Sequence, residues 1–157
     1  KNPDEFFSAL FNLKEKGIEF KLAVAGEEKV RAPEIFQTAK EKLKNEIISF
    51  SYLENREEYI ELLKKCDILP VTSNHEFFGI SVLEAASAGV IPLLPKRLSY
   101  PELFPVETFS ELYYENGQLP EYIDKTINSS DRFNRSQIKK RADIFNNSQS
   151  LSAFLRF

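Results

Sequence analysis

At 157 residues, 42% of them hydrophobic and 14 of them Phe, the chain carries enough apolar side chain for the core of one domain, which excludes an intrinsically disordered segment. Its 21 basic and 24 acidic residues leave a net charge of −3, which excludes a surface built throughout to grip nucleic-acid phosphate. The lone cysteine, Cys66, excludes an internal disulfide framework, no apolar run approaches the ~20 residues that span a bilayer, and no signal-peptide pattern is visible, so the chain reads as cytoplasmic. It opens Lys1-Asn2-Pro3 and contains no Met, which reads either as a piece of a longer protein or as a sequence from which methionines have been lost.

Asn2-Pro3-Asp4-Glu5 predicts a helix start, with Asn2 as N-cap, Pro3 in the first turn and two acids facing the positive end of the helix dipole. Phe6, Phe7, Leu10 and Leu13 recur at helical spacing, and Gly17 supplies the stop. "FKLAVAG" (20–26) reads as a buried strand ending at Gly26, followed by a charged amphipathic stretch over about 32–44. "IISFSYL" (47–53) predicts a second strand, and 56–66 a helix with Tyr59, Leu62 and Leu63 inward. "DILPVTS" (67–73) predicts a third strand, and the next helix lies within "HEFFGISVLEAASAG" (75–89). A short buried strand at 90–95, a short helix at 99–104 and a last strand at 111–115 follow, with helices over about 118–128 and 131–155.

Strands that are apolar almost throughout, alternating with helices, point to an α/β fold with a doubly wound parallel sheet covered on both faces. The first helix has no strand ahead of it, so a strand is expected before residue 1. Ligands of such sheets bind in the crevice at the carboxyl ends of the strands. The segments to watch are therefore Lys1 and the loops after Gly26, Leu53, Ser73 and Pro95.

The loop after Ser73 carries the chemistry. His75, Glu76 and Gly79 fall between strand and helix, and the amides of Gly79, Ile80 and Ser81 would open the helix towards the crevice. A helix N-terminus favours an anion by roughly 0.3–2 kcal/mol, and Gly79, without a side chain, would let a phosphate approach the backbone. Glu84 lies more than one turn into the helix, where its side chain leans back towards the N-terminus. A carboxylate only accepts hydrogen bonds, which suits paired ribose hydroxyls, and Glu76 can accept from a second set beyond the phosphate site. Two glutamates eight positions apart are, on spacing alone, more often solvated decoration of an ordinary helix. The strand, polar loop, Glu-Phe-Phe-Gly and small-residue helix around them reverse that judgement.

"EFFGISVLEAASAGVIPLL" resembles the E-x7-E signature of family 4 retaining glycosyltransferases with the GT-B fold. The likeness extends over the chain: "KNPDEFFSAL" is similar to the lysine and helix opening their second, donor-binding domain, and "KLAVAGE" to its glycine-ended strand. "ISFSYLENREEYIELLKKCDILPVTS" resembles its base-contacting loop with the helix and strand that follow. The HEFFG and "YPELFP" elements are similar to the tRNA-queuosine mannosyltransferase group, which transfers mannose from GDP-mannose to queuosine in tRNA. The resemblance implies a Rossmann-like sheet, the C-terminal half of a GT-B enzyme, over residues 1–157, with the acceptor domain and first strand missing. It implies a catalytic set of Glu76, holding the transferred sugar, and Lys1, neutralising the diphosphate. It also implies donor contacts at Gly26, Leu53, His75, Phe77, Phe78, Gly79 and Ile80, with Glu84 on ribose. The nucleotide-sugar is substrate, no cofactor or metal is implied, and the enzyme stabilises the departing charge rather than supplying an acid/base pair. Its partners would be an N-terminal GT-B domain of the same full-length chain and, through it, tRNA. The fragment alone would lack transfer activity.

His75 is either a sugar contact or simply solvated. Lys96 and Arg97 are either contacts to phosphate or acceptor or a solvated loop pair. Tyr100 and Glu102 would shape the pocket floor or cap the short helix, and Cys66 reads as a small buried residue. The basic run "RFNRSQIKKR" (132–141) is read as an exposed helix face in preference to an RNA contact. Leu151, Phe154, Leu155 and Phe157 form a stripe that could dock on an N-terminal domain. Two other readings remain open: a family 4 enzyme acting on lipid or polysaccharide, and a non-catalytic nucleotide-sugar-binding domain.

Overall fold

The computed structural model describes residues 2–26 and 33–147. Its first helix, α1 (Pro3–Glu15), forms where the cap chemistry requires: the Asn2 side-chain oxygen accepts the Glu5 N–H at 3.4 Å, and its Nδ2 donates to the Glu5 carboxylate at 2.8 Å. Gly17, at φ 73°, lets the chain leave the helix through a left-handed turn. Strand β1 (Leu22–Ala25), helix α2 (Glu34–Lys42), strand β2 (Ile47–Ser51) and helix α3 (Arg56–Lys64) follow. Next come β3 (Ile68–Pro70), α4 (Ile80–Ser87) and β4 (Ile91–Pro95). The chain continues through α5 (Tyr100–Leu103), α6 (Val106–Phe109), β5 (Tyr113–Tyr114), α7 (Leu119–Asn128) and α8 (Arg135–Asn147).

All the strand pairings described are parallel, as alternating strands and helices require. They form two sheets rather than the single sheet expected from the sequence: β1 pairs with β2, while β4 lies between β3 and β5. Among the described residues no strand joins β1 to β3. Every residue of β4 is buried, and because successive side chains point to opposite faces, both faces of that sheet are covered. The helices pack in two groups, α1 with α2 and α7, and α4 with α8. Leu63 of α3 buries against Ala85 and Val90 at the flank of α4. One large core links Phe7, Leu10 and Leu13 of α1 to Leu93 and Leu94 of β4 and to Tyr100 and Phe104 beyond it. Phe7, Phe36 and Phe50 meet ring to ring at centroid distances of 5.2–6.3 Å and tie α1 to α2 and β2.

Two elements depart from expectation. Helix α6 has no counterpart in the sequence reading; Pro105 starts it by setting a fixed φ ahead of a single apolar turn. Helix α8 begins at Arg135, not 131, because Phe133 is buried and Asn134 caps the helix, its side chain accepting the Gln137 N–H at 3.0 Å. A 3-10 turn, Ser130–Arg132, fills the gap.

The Tyr113 and Tyr114 hydroxyls donate to Phe104 O and Val71 O, each at 2.6 Å, inside the core. Burial pushes both phenols well above their ordinary value, with Glu107 adding to the shift at Tyr113 and Glu5 at Tyr114. The unfolded chain releases these protons near pH 10 and the folded chain retains them, so stability is intact below that pH and falls as pH rises beyond it. The urea midpoint is therefore expected to drop steadily between about pH 9.5 and 11; an unchanged midpoint over that range would contradict the assignment.

Candidate functional site

Beyond β3 the backbone stays buried through Ser73 and then turns out at Asn74, on the carboxyl edge of the sheet. Glu76 folds back on this loop: its Oε1 accepts the N–H groups of Phe77 and Gly79, each at 3.1 Å. Gly79 adopts φ 66° and ψ 33°, a left-handed conformation that aims the chain into α4. A Cβ there would stand 2.6 Å from Leu103 Cδ1, with the Tyr100 ring behind it. The sequence reading made room at Gly79 for a phosphate. On the side where a Cβ would project, Leu103 and Tyr100 already stand, and the Gly79 amide donates to Glu76. The first bonds inside the helix run from Val82 and Leu83 to Gly79 O, at 3.0 Å each. The amides of Ile80 and Ser81 thus precede the helical ladder, at its positive end.

Glu84, four residues past Ile80, keeps 20% of its side chain exposed and pairs through Oε1 with Arg56 at 2.9 Å. Sequence reasoning missed Arg56: the two residues belong to different helices, and no local spacing signals their meeting. Arg56 opens α3, whose cap Asn55 accepts the Glu58 N–H at 2.8 Å and donates to the Glu58 carboxylate at 3.0 Å. Tyr59, one turn on, has its phenol raised by burial and by the Glu84 charge beside it.

Other candidate residues take varied places. Leu53 is half-buried in the loop after β2, beside an exposed Tyr52. Gly26 lies just past β1, where a Cβ would meet no described residue within 4 Å. His75 is exposed, Phe77 and Phe78 keep 86% and 57% of their surfaces exposed, and Ile80 is half-buried. Lys96 is exposed, as a solvated loop residue should be. Arg97 is not: Nε donates to Ser73 O at 3.3 Å, Nη2 donates to Thr72 O at 3.4 Å, and Glu5 lies 3.8 Å away. It clasps the end of β3 to the start of α1. The Thr72 hydroxyl completes that joint by donating to Asn2 O at 2.8 Å. Tyr100 is fully buried beneath the Gly79 loop, its ring facing the Gly79 Cα. Cys66 is half-buried, its thiol donating to Leu62 O at 3.3 Å and pushed up by burial and by Asp67. Lys1 and the stripe Leu151, Phe154, Leu155 and Phe157 lie outside the described residues.

The basic run is largely exposed, as expected, but several of its cations are also anchored to backbone carbonyls. Arg135 donates to Gly89 O at 2.9 Å, and Lys139 to Ser87 O at 2.6 Å, so both close the carboxyl end of α4. Arg141 donates to Leu103 O at 2.6 Å and Glu102 O at 2.9 Å, at the end of α5. Arg132 stacks over Tyr122 and Phe133. Arg135, Lys139 and Arg141 fasten α8 to the ends of α4 and α5. Only Lys140 of the five stays exposed with no such anchor described.

A glutamate at each side of a helix start, with amides between them, can accept hydroxyls at both ends of an anionic ligand. The family model described as "Glycosyl transferases group 1" matches residues 1–147. A Drosophila melanogaster protein named tRNA-queuosine alpha-mannosyltransferase is 35% identical over 160 residues, which is 93% of this chain and 42% of the relative. The chain therefore spans less than half the length of that relative. Among the described residues no helix is long and apolar enough to cross a membrane.

Proposed function

The chain belongs to the family of glycosyl transferases group 1, and from that premise we propose that it is the donor-binding half of a retaining glycosyltransferase. The donor is a nucleotide-sugar, with the sugar at Glu76, the diphosphate over the Ile80 and Ser81 amides and the ribose at Glu84. The observation that carries this reading is the placement of the two carboxylates on either side of the α4 N-terminus, at the carboxyl edge of a parallel sheet. Glu76 has a second task before the donor arrives. It occupies two of the loop's amides and keeps the loop in the shape the sugar meets.

The name of the Drosophila relative supports mannose as the sugar and queuosine in tRNA as the acceptor; GDP-mannose as the donor and a cytoplasmic location complete the proposal. In this reading Lys1 and Glu76 are the catalytic set, Lys1 supplying positive charge to the diphosphate as it leaves. Leu53 meets the base, Gly26 lines the same edge, and His75, Phe77 and Phe78 border the sugar. No resident cofactor or metal takes part, and the acceptor site lies on an N-terminal GT-B domain of the full-length protein. A strand from that preceding segment would enter between β1 and β3, whose facing edges are unpaired among the described residues, and join the two sheets. The Thr72 bond to Asn2 already brings the start of α1 beside the end of β3.

Titration calorimetry with GDP, UDP and GDP-mannose tests the donor site. GDP and GDP-mannose are expected to bind residues 1–157 weakly, since in this reading a second domain closes on the donor. If neither GDP nor UDP compounds bind, the donor-site reading is wrong.

A further inference from the structure

If Glu84 grips ribose, an acidic side chain stands next to a diphosphate that it repels, so its charge has to be met by a cation. The structure supplies one. Arg56 Nη2 lies 2.9 Å from Glu84 Oε1, and Arg56 directly follows the loop after β2, which the donor reading places against the base. We propose that Arg56 is a positioning residue of the donor site, turning the Glu84 carboxylate so that Oε2 accepts the ribose hydroxyls and offsetting its charge beside the diphosphate. The inference rests on the donor-site reading above and deepens it.

Three features support it. The backbone of Arg56 is fixed, because Asn55 and Glu58 cap α3 in both directions. The two helices are held in register beneath the pair by Leu63 against Ala85 and Val90. The Arg56 side chain itself is 69% exposed, so the pair adds little to the stability of the fold and leaves Arg56 free to serve the site. Arg56 thereby links the loop that meets the base to the residue that meets the ribose, and a shift of one is felt by the other.

The test is calorimetry of the full chain with GDP and with UDP, at low and high salt, for wild type, Arg56→Gln, Arg56→Lys, Glu84→Gln and the Arg56→Gln/Glu84→Gln double variant. Arg56→Gln is expected to weaken binding about fivefold, the upper range for a partly exposed pair, with Arg56→Lys recovering part of the loss. The loss is expected to shrink at high salt and to vanish in the Glu84→Gln background. Equal affinities of wild type and Arg56→Gln, or the same loss with and without the Glu84 carboxylate, overturn the role of Arg56 and leave the donor site standing. Failure of the wild type to bind either nucleotide overturns the donor site and this inference with it.

Discussion

Replacing Gly79 with alanine is expected to lower the melting temperature by roughly 5–15 °C and to weaken donor binding as well. Two costs add. At φ 66° and ψ 33° any L side chain is strained by about 1–2 kcal/mol. The new methyl would stand 2.6 Å from Leu103 Cδ1, and Leu103 is 7% exposed with the Tyr100 ring beside it, so it cannot swing out into solvent. Overpacking at such a site costs about 1–3 kcal/mol more. For a chain of this size each kcal/mol moves the midpoint by about 2–4 °C. Scanning calorimetry of the wild type and Gly79→Ala measures the sum. A shift below about 2 °C would mean that Leu103 and the loop relax at little cost, and that the floor of the site is not tightly packed against Gly79.

Glu84→Ala carries the second large effect, on binding rather than folding. If Glu84 accepts ribose hydroxyls, its loss removes a charge-assisted hydrogen bond worth about 1.5–3 kcal/mol, a weakening of roughly 10- to 150-fold for whichever nucleotide binds. The fold should scarcely notice, since the pair with Arg56 is partly exposed and such pairs contribute about 0–1 kcal/mol. Calorimetric titration alongside a thermal melt separates the two. Wild-type affinity in Glu84→Ala would remove the ribose grip, while a large fall in melting temperature would make Glu84 a structural residue.

The parts of this fold that were legible in the sequence are those that local chemistry decides. Asn2, Pro3 and Gly17 bound the first helix because capping acts within a few residues. The strand before the Glu76 loop and the small-residue helix after Gly79 were readable for the same reason. What stayed hidden is long-range. Arg135, Lys139 and Arg141 could be read as part of an exposed basic face, but not as donors to the distant carbonyls at Gly89, Ser87 and Leu103. Arg97 looks like half of a solvated pair, yet it holds Thr72 and Ser73. The role of Gly79 was half visible. Its bare Cα could be read, but not its left-handed turn, nor that Leu103 and Tyr100 stand where a Cβ would project. The start of α8 could have been found locally, since Asn134 followed by Gln137 is a capping pattern inside the apparent helix.

The central claim is that one nucleotide-sugar lies across the start of α4 from Glu76 to Glu84. A crystal structure of the chain with GDP-mannose bound tests it most directly. The sugar hydroxyls are expected on Glu76, the diphosphate over the amides of Ile80 and Ser81, and the ribose on Glu84 with Arg56 still paired to its other oxygen. A nucleotide seated elsewhere, or one running past α4 without touching either carboxylate, would contradict the claim.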